Sequence, residues 1–232
     1  MQFKERSYKK ELLDDDNIPF ADIQQNMKEL DFINKWLGGH TITVKAFAQL
    51  AGNKKDISVC EIGCGGGDNL VAIDNFCKKK QIKVRLTGID LKEECIEFAK
   101  SRNLITHADW ITSDYSRVVF DTKPDILFSS LFCHHFTNEQ LLFQLQWMKQ
   151  NVSVGFFIND LHRHIVAYYA IKTLTQLFST SYLVKNDAPL SVARGFTKKE
   201  LQTLCEEAGI ENAAIYWKWA FRYLVLYPAP RS

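Results

Sequence analysis

The chain predicts an α/β fold: a doubly wound, mostly parallel sheet closed by an antiparallel hairpin. Three observations carry that expectation. Short apolar runs alternate with amphipathic helical stretches from residue 57 to about residue 160, the pattern of strand–helix–strand units. The first run ends in a glycine-rich turn, Gly63-Cys64-Gly65-Gly66-Gly67, that opens a helix. The chain finishes with two β-like runs, Ala213 to Trp219 and Arg222 to Tyr227, close enough to pair as a hairpin.

Taken in order, the spacing predicts strands over 57–62, 83–89, 109–113, 125–130 and 154–159, and helices over 68–80, 92–102 and 138–149. Residues 1–52 read as a mostly helical N-terminal cover. Apolar positions from Ile23 through Leu30, Ile33 and Trp36 recur at helical spacing, Gly38-Gly39 is a stop signal, and a further helix follows from Thr43. Residues 53–232 form the main domain. Residues 161–196 break the alternation with a helical, aromatic-rich insertion after the fifth strand. Thr197-Lys198-Lys199-Glu200 is a capping box for a helix over 198–208, which Gly209 closes.

Length and composition narrow the class. A chain of 232 residues with 46% hydrophobic and 24% charged residues is an ordinary globular domain with additions. The formal net charge of +2 gives no concentrated basic face, so no nucleic-acid partner is expected. No apolar run reaches the ~20 residues that span a bilayer, and the polar N-terminus lacks a signal-peptide core. The six cysteines show neither C-x-x-C nor zinc-like spacing with histidine. A cytoplasmic protein with free thiols and no metal is therefore expected, and a homodimer is left open.

The chemistry is concentrated at the strand ends. Glu61 stands two residues before the first glycine, where a phosphate cradle would want backbone N–H groups rather than a carboxylate. Such an acid suits a ligand bearing a positive charge. Asp90 ends the second strand, where it can accept two hydroxyl hydrogens from a ribose. An amine-bearing ligand with a ribose points to S-adenosylmethionine.

Those residues resemble the class I S-adenosylmethionine-dependent methyltransferases with their Rossmann-like fold. Glu61-Ile62-Gly63-Cys64-Gly65-Gly66-Gly67 matches the family's first motif, and Asp90 matches the ribose-binding acid. Asp114 matches the acid that contacts the adenine amino group, and Ser129-Ser130-Leu131 with His134-His135-Phe136 resembles the fourth motif. The resemblance implies a cofactor site of Glu61, Gly63, Cys64, Gly65, Gly67, Asp90, Leu91, Asp114, Tyr115 and Ser130, with S-adenosylhomocysteine as product. Glu11-Leu12-Leu13-Asp14-Asp15, Leu37-Gly38-Gly39-His40 and Asn159-Asp160-Leu161-His162-Arg163-His164 are similar to a small-molecule branch. That branch lies near the ubiquinone/menaquinone-pathway and type III polyketide synthase-associated enzymes. It implies a hydrophobic, phenolic or quinol-like acceptor in quinone, polyketide or secondary metabolism. Methylation on oxygen comes first and on carbon second.

A phenol with a pKa near 10 gains from a general base at neutral pH. His162 and His135 are the candidates, each beyond the carboxyl end of a strand, with a solvated or capping histidine as the plainer reading. Tyr168 and Arg194 are candidates for the acceptor wall, with helix packing and an ion pair as the plainer readings. Two other functions compete. A nicotinamide-dependent reductase shares the glycine turn and second-strand acid, but Gly63-x-Gly65-x-Gly67 does not fit G-x-G-x-x-G. A methyltransferase-like protein that binds without catalysis remains the other.

Overall fold

The computed structural model describes residues 3–15 and 17–230; residues 1, 2 and 16 of the expected cover, and the last two residues of the main domain, lie outside that range. Seven strands form one sheet: β1 (Asp56–Ile62), β2 (Lys83–Asp90), β3 (Ala108–Thr112), β4 (Ile126–Ser130), β5 (Gly155–Leu161), β6 (Ala214–Lys218) and β7 (Arg222–Pro228). Their order is β3-β2-β1-β4-β5-β7-β6, with β7 antiparallel to β5 and β6. The order reverses at β1, whose partners β2 and β4 are both parallel to it. Such a switch point opens a crevice at the carboxyl ends of the strands.

Among the described residues eight α-helices complete the fold: α1 (Phe20–Trp36), α2 (Gly39–Ala51), α3 (Asp68–Lys80), α4 (Glu93–Ser101), α5 (Asn138–Gln150), α6 (Ile165–Phe178), α7 (Tyr182–Arg194) and α8 (Lys198–Glu207). Strand alternation sends successive side chains to opposite faces. Ile57, Val59, Phe128 and Phe157 meet Phe47 of α2 and Leu70 and Ile73 of α3. Cys60, Ile62, Leu127 and Phe156 meet Leu145 and Met148 of α5 and Leu201 and Leu204 of α8. The central parallel strands β1, β4 and β5 are buried on both faces, as near-continuous apolar runs require.

The capping box at Thr197 forms as the sequence predicts: Glu200 N–H donates to Thr197 Oγ1, and Thr197 N–H donates to Glu200 Oε2. The N-terminal cover is helical over Phe20–Trp36 and Gly39–Ala51. Helix begins only at Phe20, because Asp14, Asp15, Asn17 and Pro19 favour turns and extended backbone. Residues 3–15 instead run as a strap with a single 3-10 turn at Leu12–Asp14. The main-chain N–H groups of Leu12 and Leu13 donate to the Asp187 carboxylate on α7. α2 starts at Gly39 rather than Thr43, since Gly38 takes φ +76° and breaks the chain there.

The cover and the insertion touch. The Glu29 carboxylate on α1 accepts hydrogen bonds from the N–H groups of Thr180 and Ser181, between α6 and α7. All six cysteines are free and buried. Among the described residues no helix is long and apolar enough to cross a membrane.

Candidate active site

The parallel register Ile62↔Ile89 makes β1 and β2 end side by side. The glycine loop leaves β1 there and is stitched to β2: Cys64 N–H donates to the Ile89 carbonyl at 3.1 Å, and Gly65 N–H donates to Asp90 Oδ2 at 2.8 Å. Two glycines are irreplaceable on space as well as conformation. Gly63 has φ +66°, and a Cβ there would lie 2.1 Å from the Phe132 ring. Gly67 has φ +77°, and its Cβ would lie 2.3 Å from Trp110.

Asp90 uses its other oxygen to accept from Lys92 N–H at 3.0 Å. Burial raises its pKa, and the backbone N–H groups of Lys92, Gly65 and Leu91 only partly offset that. Each carboxylate oxygen keeps a further lone pair, enough for a pair of ligand hydroxyls.

Glu61 sits beneath the loop and is 1% exposed. Its Oε1 accepts from Asn69 Nδ2 at 2.8 Å, while its Oε2 is buried without a partner. Burial pushes its pKa well above the carboxylate range. A cationic ligand would return the group to its charged form. Asn69 continues to His40 at 3.0 Å and His40 to Asp31 at 2.9 Å, so a polar chain crosses from β1 through α3 and α2 to α1.

A cleft of about 440 Å³ opens beside this loop. Of the residues the sequence singled out, Gly63, Asp90, Leu91, Asp114 and Tyr115 line it, beside Phe132, Phe136, Glu139, Gln140 and Phe143, which were not among the expected site residues. Asp114 accepts from the N–H and hydroxyl of Ser116, which fixes its turn. Tyr115 is buried, and its ring meets Phe132, Phe136 and Trp147 edge-on. The signal for the missed residues was positional: they follow β4 directly or open the next helix, on the switch-point side. Leu131, at φ +54°, turns the chain so that Phe132 can cover Gly63. No lysine or arginine lines the cleft among the described residues.

Cys64 and Gly67 shape the loop without lining the cleft, and Ser130 is buried, its hydroxyl accepting from Asn159 Nδ2 at 3.4 Å. His162 lies beyond β5. Its Nδ1 is buried without a partner, and burial followed by the nearby His164 and Arg163 lowers its pKa. His164 instead caps α6, accepting from Val166 N–H.

Three other candidates sit differently from what an acceptor contact needs. The His135 imidazole faces carboxylates of the strap, with Nε2 3.7 Å from Glu11 and Nδ1 3.4 Å from Asp14. Arg194 is buried and donates to the carbonyls of His134, His135 and Lys9. That leaves its guanidinium occupied by main chain. Tyr168 packs edge-on against Phe3 at 5.3 Å. All three anchor the N-terminal strap, whose path sequence spacing could not reveal.

One more residue escaped the sequence reading. Arg222, at the start of β7, is 2% exposed. It donates through Nη2 to Asn34 at 2.9 Å, yet its Nε and Nη1 have no partner. A cation opening the apolar run Tyr223-Leu224-Val225-Leu226 was the available signal.

Comparison with known proteins agrees with this geometry. Residues 59–154 match the family model described as a methyltransferase domain. No curated protein sequence matches the chain. The plantazolicin methyltransferase BpumL in complex with SAH superposes with a TM-score of 0.66 at 19% identity, over 91% of this chain and 89% of that one. A SAM-dependent methyltransferase from Aquifex aeolicus gives 0.64 at 17% identity, over 92% and 100%. Magnesium protoporphyrin IX methyltransferase from Synechocystis PCC 6803 with bound SAH gives 0.57 at 13%, over 93% and 90%. The fold is the Rossmann-like methyltransferase fold.

Proposed function

We propose that the chain is an S-adenosylmethionine-dependent methyltransferase acting on a small hydrophobic acceptor, phenolic or quinol-like, with oxygen as the first target atom and carbon the second. The observation that carries this reading is the charge pattern around the cleft. Asp90, Asp114 and Glu139 line it with no cation among them, above a buried Glu61 with an unpaired oxygen. That pattern suits hydroxyls and amines and repels a pyrophosphate, which disfavours a nicotinamide reductase.

Bound S-adenosylmethionine would supply an electrophilic methyl group on a sulfonium. Glu61 would face its ammonium, Asp90 its ribose, and Asp114 with Leu91 and Tyr115 its adenine. The chain then has to align an acceptor and exclude water. The contact between α1 and the α6–α7 connection supports a lid made from cover and insertion. Arg222 offers two unpaired N–H donors, which fits a phenolate or carboxylate oxygen. The six buried free thiols fit a reducing cytoplasm, and the branch resemblance supports a place in quinone, polyketide or other secondary metabolism.

His162 serves as the base in this reading, because its lowered pKa keeps the imidazole neutral at pH 7. With a phenolic acceptor the rate should rise as pH climbs through a value below the usual histidine range and then flatten. His162→Asn should remove that limb and lower kcat about 10²-fold, with the Kd for S-adenosylhomocysteine unchanged by calorimetry. An unaltered pH profile would take His162 out of the role.

A further inference from the structure

The turn after β4 and the N-terminal strap bring a second cluster together, outside the cofactor loop. His134 is 3% exposed, and its Nδ1 lies 2.8 Å from Asp160 Oδ1. His135 Nδ1 lies 3.4 Å from Asp14 Oδ1. A carboxylate at Nδ1 selects the tautomer with the proton there and leaves Nε2 as a bare lone pair. Both Nε2 atoms then point at one buried carboxylate. His134 Nε2 is 3.6 Å from Glu11 Oε1, and His135 Nε2 is 3.7 Å from Glu11 Oε2. These distances are too long for hydrogen bonds. Lone pairs facing lone pairs in a buried place require a positive charge between them.

We propose that Glu11, His134 and His135 form a binding site for a divalent transition metal of the zinc type. The three ligand atoms lie within 4.8 Å of one another. Ligands at 2.0–2.2 Å from a tetrahedral metal stand about 3.4 Å apart, so the observed nitrogen–oxygen separations are already close to that edge. Two imidazoles and one carboxylate are the donor set of catalytic zinc and of related first-row metals. Each ligand also has its own outer partner: Asp160 on His134, Asp14 on His135, and the Ser191 hydroxyl donating to Glu11 Oε1 at 2.7 Å. Such outer partners orient the ligands and raise their basicity.

The surrounding charge allows a dication. Arg194 Nη1 is 4.0 Å from Glu11 Oε1, and Arg6 lies nearby, bonded to the His134 and Phe136 carbonyls. The carboxylates of Glu11, Asp14 and Asp160 outnumber these two arginines. His135 is 24% exposed on its side chain, which leaves a route for the ion and a position for water. The metal would pin the strap, through Glu11, to the turn between Phe132 and Phe136, whose rings line the cleft. The site does not depend on the methyltransferase reading.

The test uses the full chain after chelation and dialysis. Calorimetric titration with ZnCl₂ should show one ion per chain, and Glu11→Gln should weaken that binding at least tenfold. Zinc should raise the unfolding temperature of the wild type and not of the variant. Cobalt substitution should give ligand-field bands without thiolate charge transfer, since no cysteine is in the set. Failure to take up zinc, equal uptake by Glu11→Gln, or a thiolate-type cobalt spectrum would each overturn the proposal. The first of these would mean that protons, not a metal, fill the gap between the imidazoles and Glu11.

Discussion

Replacing Asp90 with alanine is expected to weaken S-adenosylhomocysteine binding by 10² to 10³ and to abolish turnover at ordinary cofactor concentration. The carboxylate does two jobs at once. It accepts the N–H groups of Gly65 and Lys92, which hold the glycine loop and the start of α4 in register. It also presents two remaining lone pairs to the cleft. Hydrogen bonds to a charged group are worth about 1.5–3 kcal/mol each, and each 1.4 kcal/mol is tenfold in affinity. At the low end of that figure the two ligand bonds together are worth about 3 kcal/mol, or about 10² in affinity, and relaxation of the loop adds the rest. Asparagine does not rescue it, because its amide would set an N–H against one of the two backbone donors. Calorimetry with S-adenosylhomocysteine decides the matter. A Kd within threefold of wild type would move the ribose contact elsewhere and leave Asp90 as a loop staple. Glu61→Gln separates the two ends of the site, since it should weaken the amino-acid end and spare 5′-methylthioadenosine, which lacks that end.

What sequence could disclose followed from locality. Strand and helix periods, the Gly38 stop, the Thr197 capping box and the hairpin are all properties of neighbouring residues, and apart from α2, which starts four residues early, they formed within a residue or two of their expected places. Glu61, Asp90 and Asp114 could be singled out because Asp90 ends β2, Glu61 lies one residue before the end of β1 and Asp114 two beyond β3, and parallel strands bring their ends to one edge. The strap was not legible. Its hydrogen bonds reach Asp187 and Ser191, about 175 to 180 residues away, so nothing in its own spacing reports them. The same distance explains His135 and Arg194: beside β4 and the insertion they read as acceptor contacts, and only the strap shows what engages them. Phe132 and Phe136 were passed over because an aromatic after a strand reads first as core. Arg222 was passed over because its strand reads as apolar.

Arg222→Met is expected to make the fold more stable and the protein a worse catalyst. Burial pushes the Arg222 pKa down to about 10 from the usual range above 12, even with the attraction of Asp160 resisting it. A depression of that size means the charged form costs the folded state about 3 kcal/mol. Methionine keeps the apolar stem and removes the charge. Against that gain stands the bond to Asn34 Oδ1, worth about 1–2 kcal/mol; the attraction to Asp160 is already contained in the shift. The net is a gain of about 1 kcal/mol, or a rise in unfolding temperature of about 2–4 °C for a chain this long. A protein that keeps so costly a cation has a use for its free donors. The guanidinium carbon lies 3.2 Å from where a Cβ on Gly39 would stand, so the group sits beside the first turn of α2. Helix-start N–H groups and a helix dipole favour the same negative charge there. An acceptor oxygen bearing that charge would lose both its partner and its orientation in the variant, and kcat/KM with a phenolic acceptor should fall at least 10²-fold while S-adenosylhomocysteine still binds. A falling unfolding temperature would show that Arg222 is paired more fully than its contacts indicate. Unchanged turnover would show that the acceptor meets some other cation.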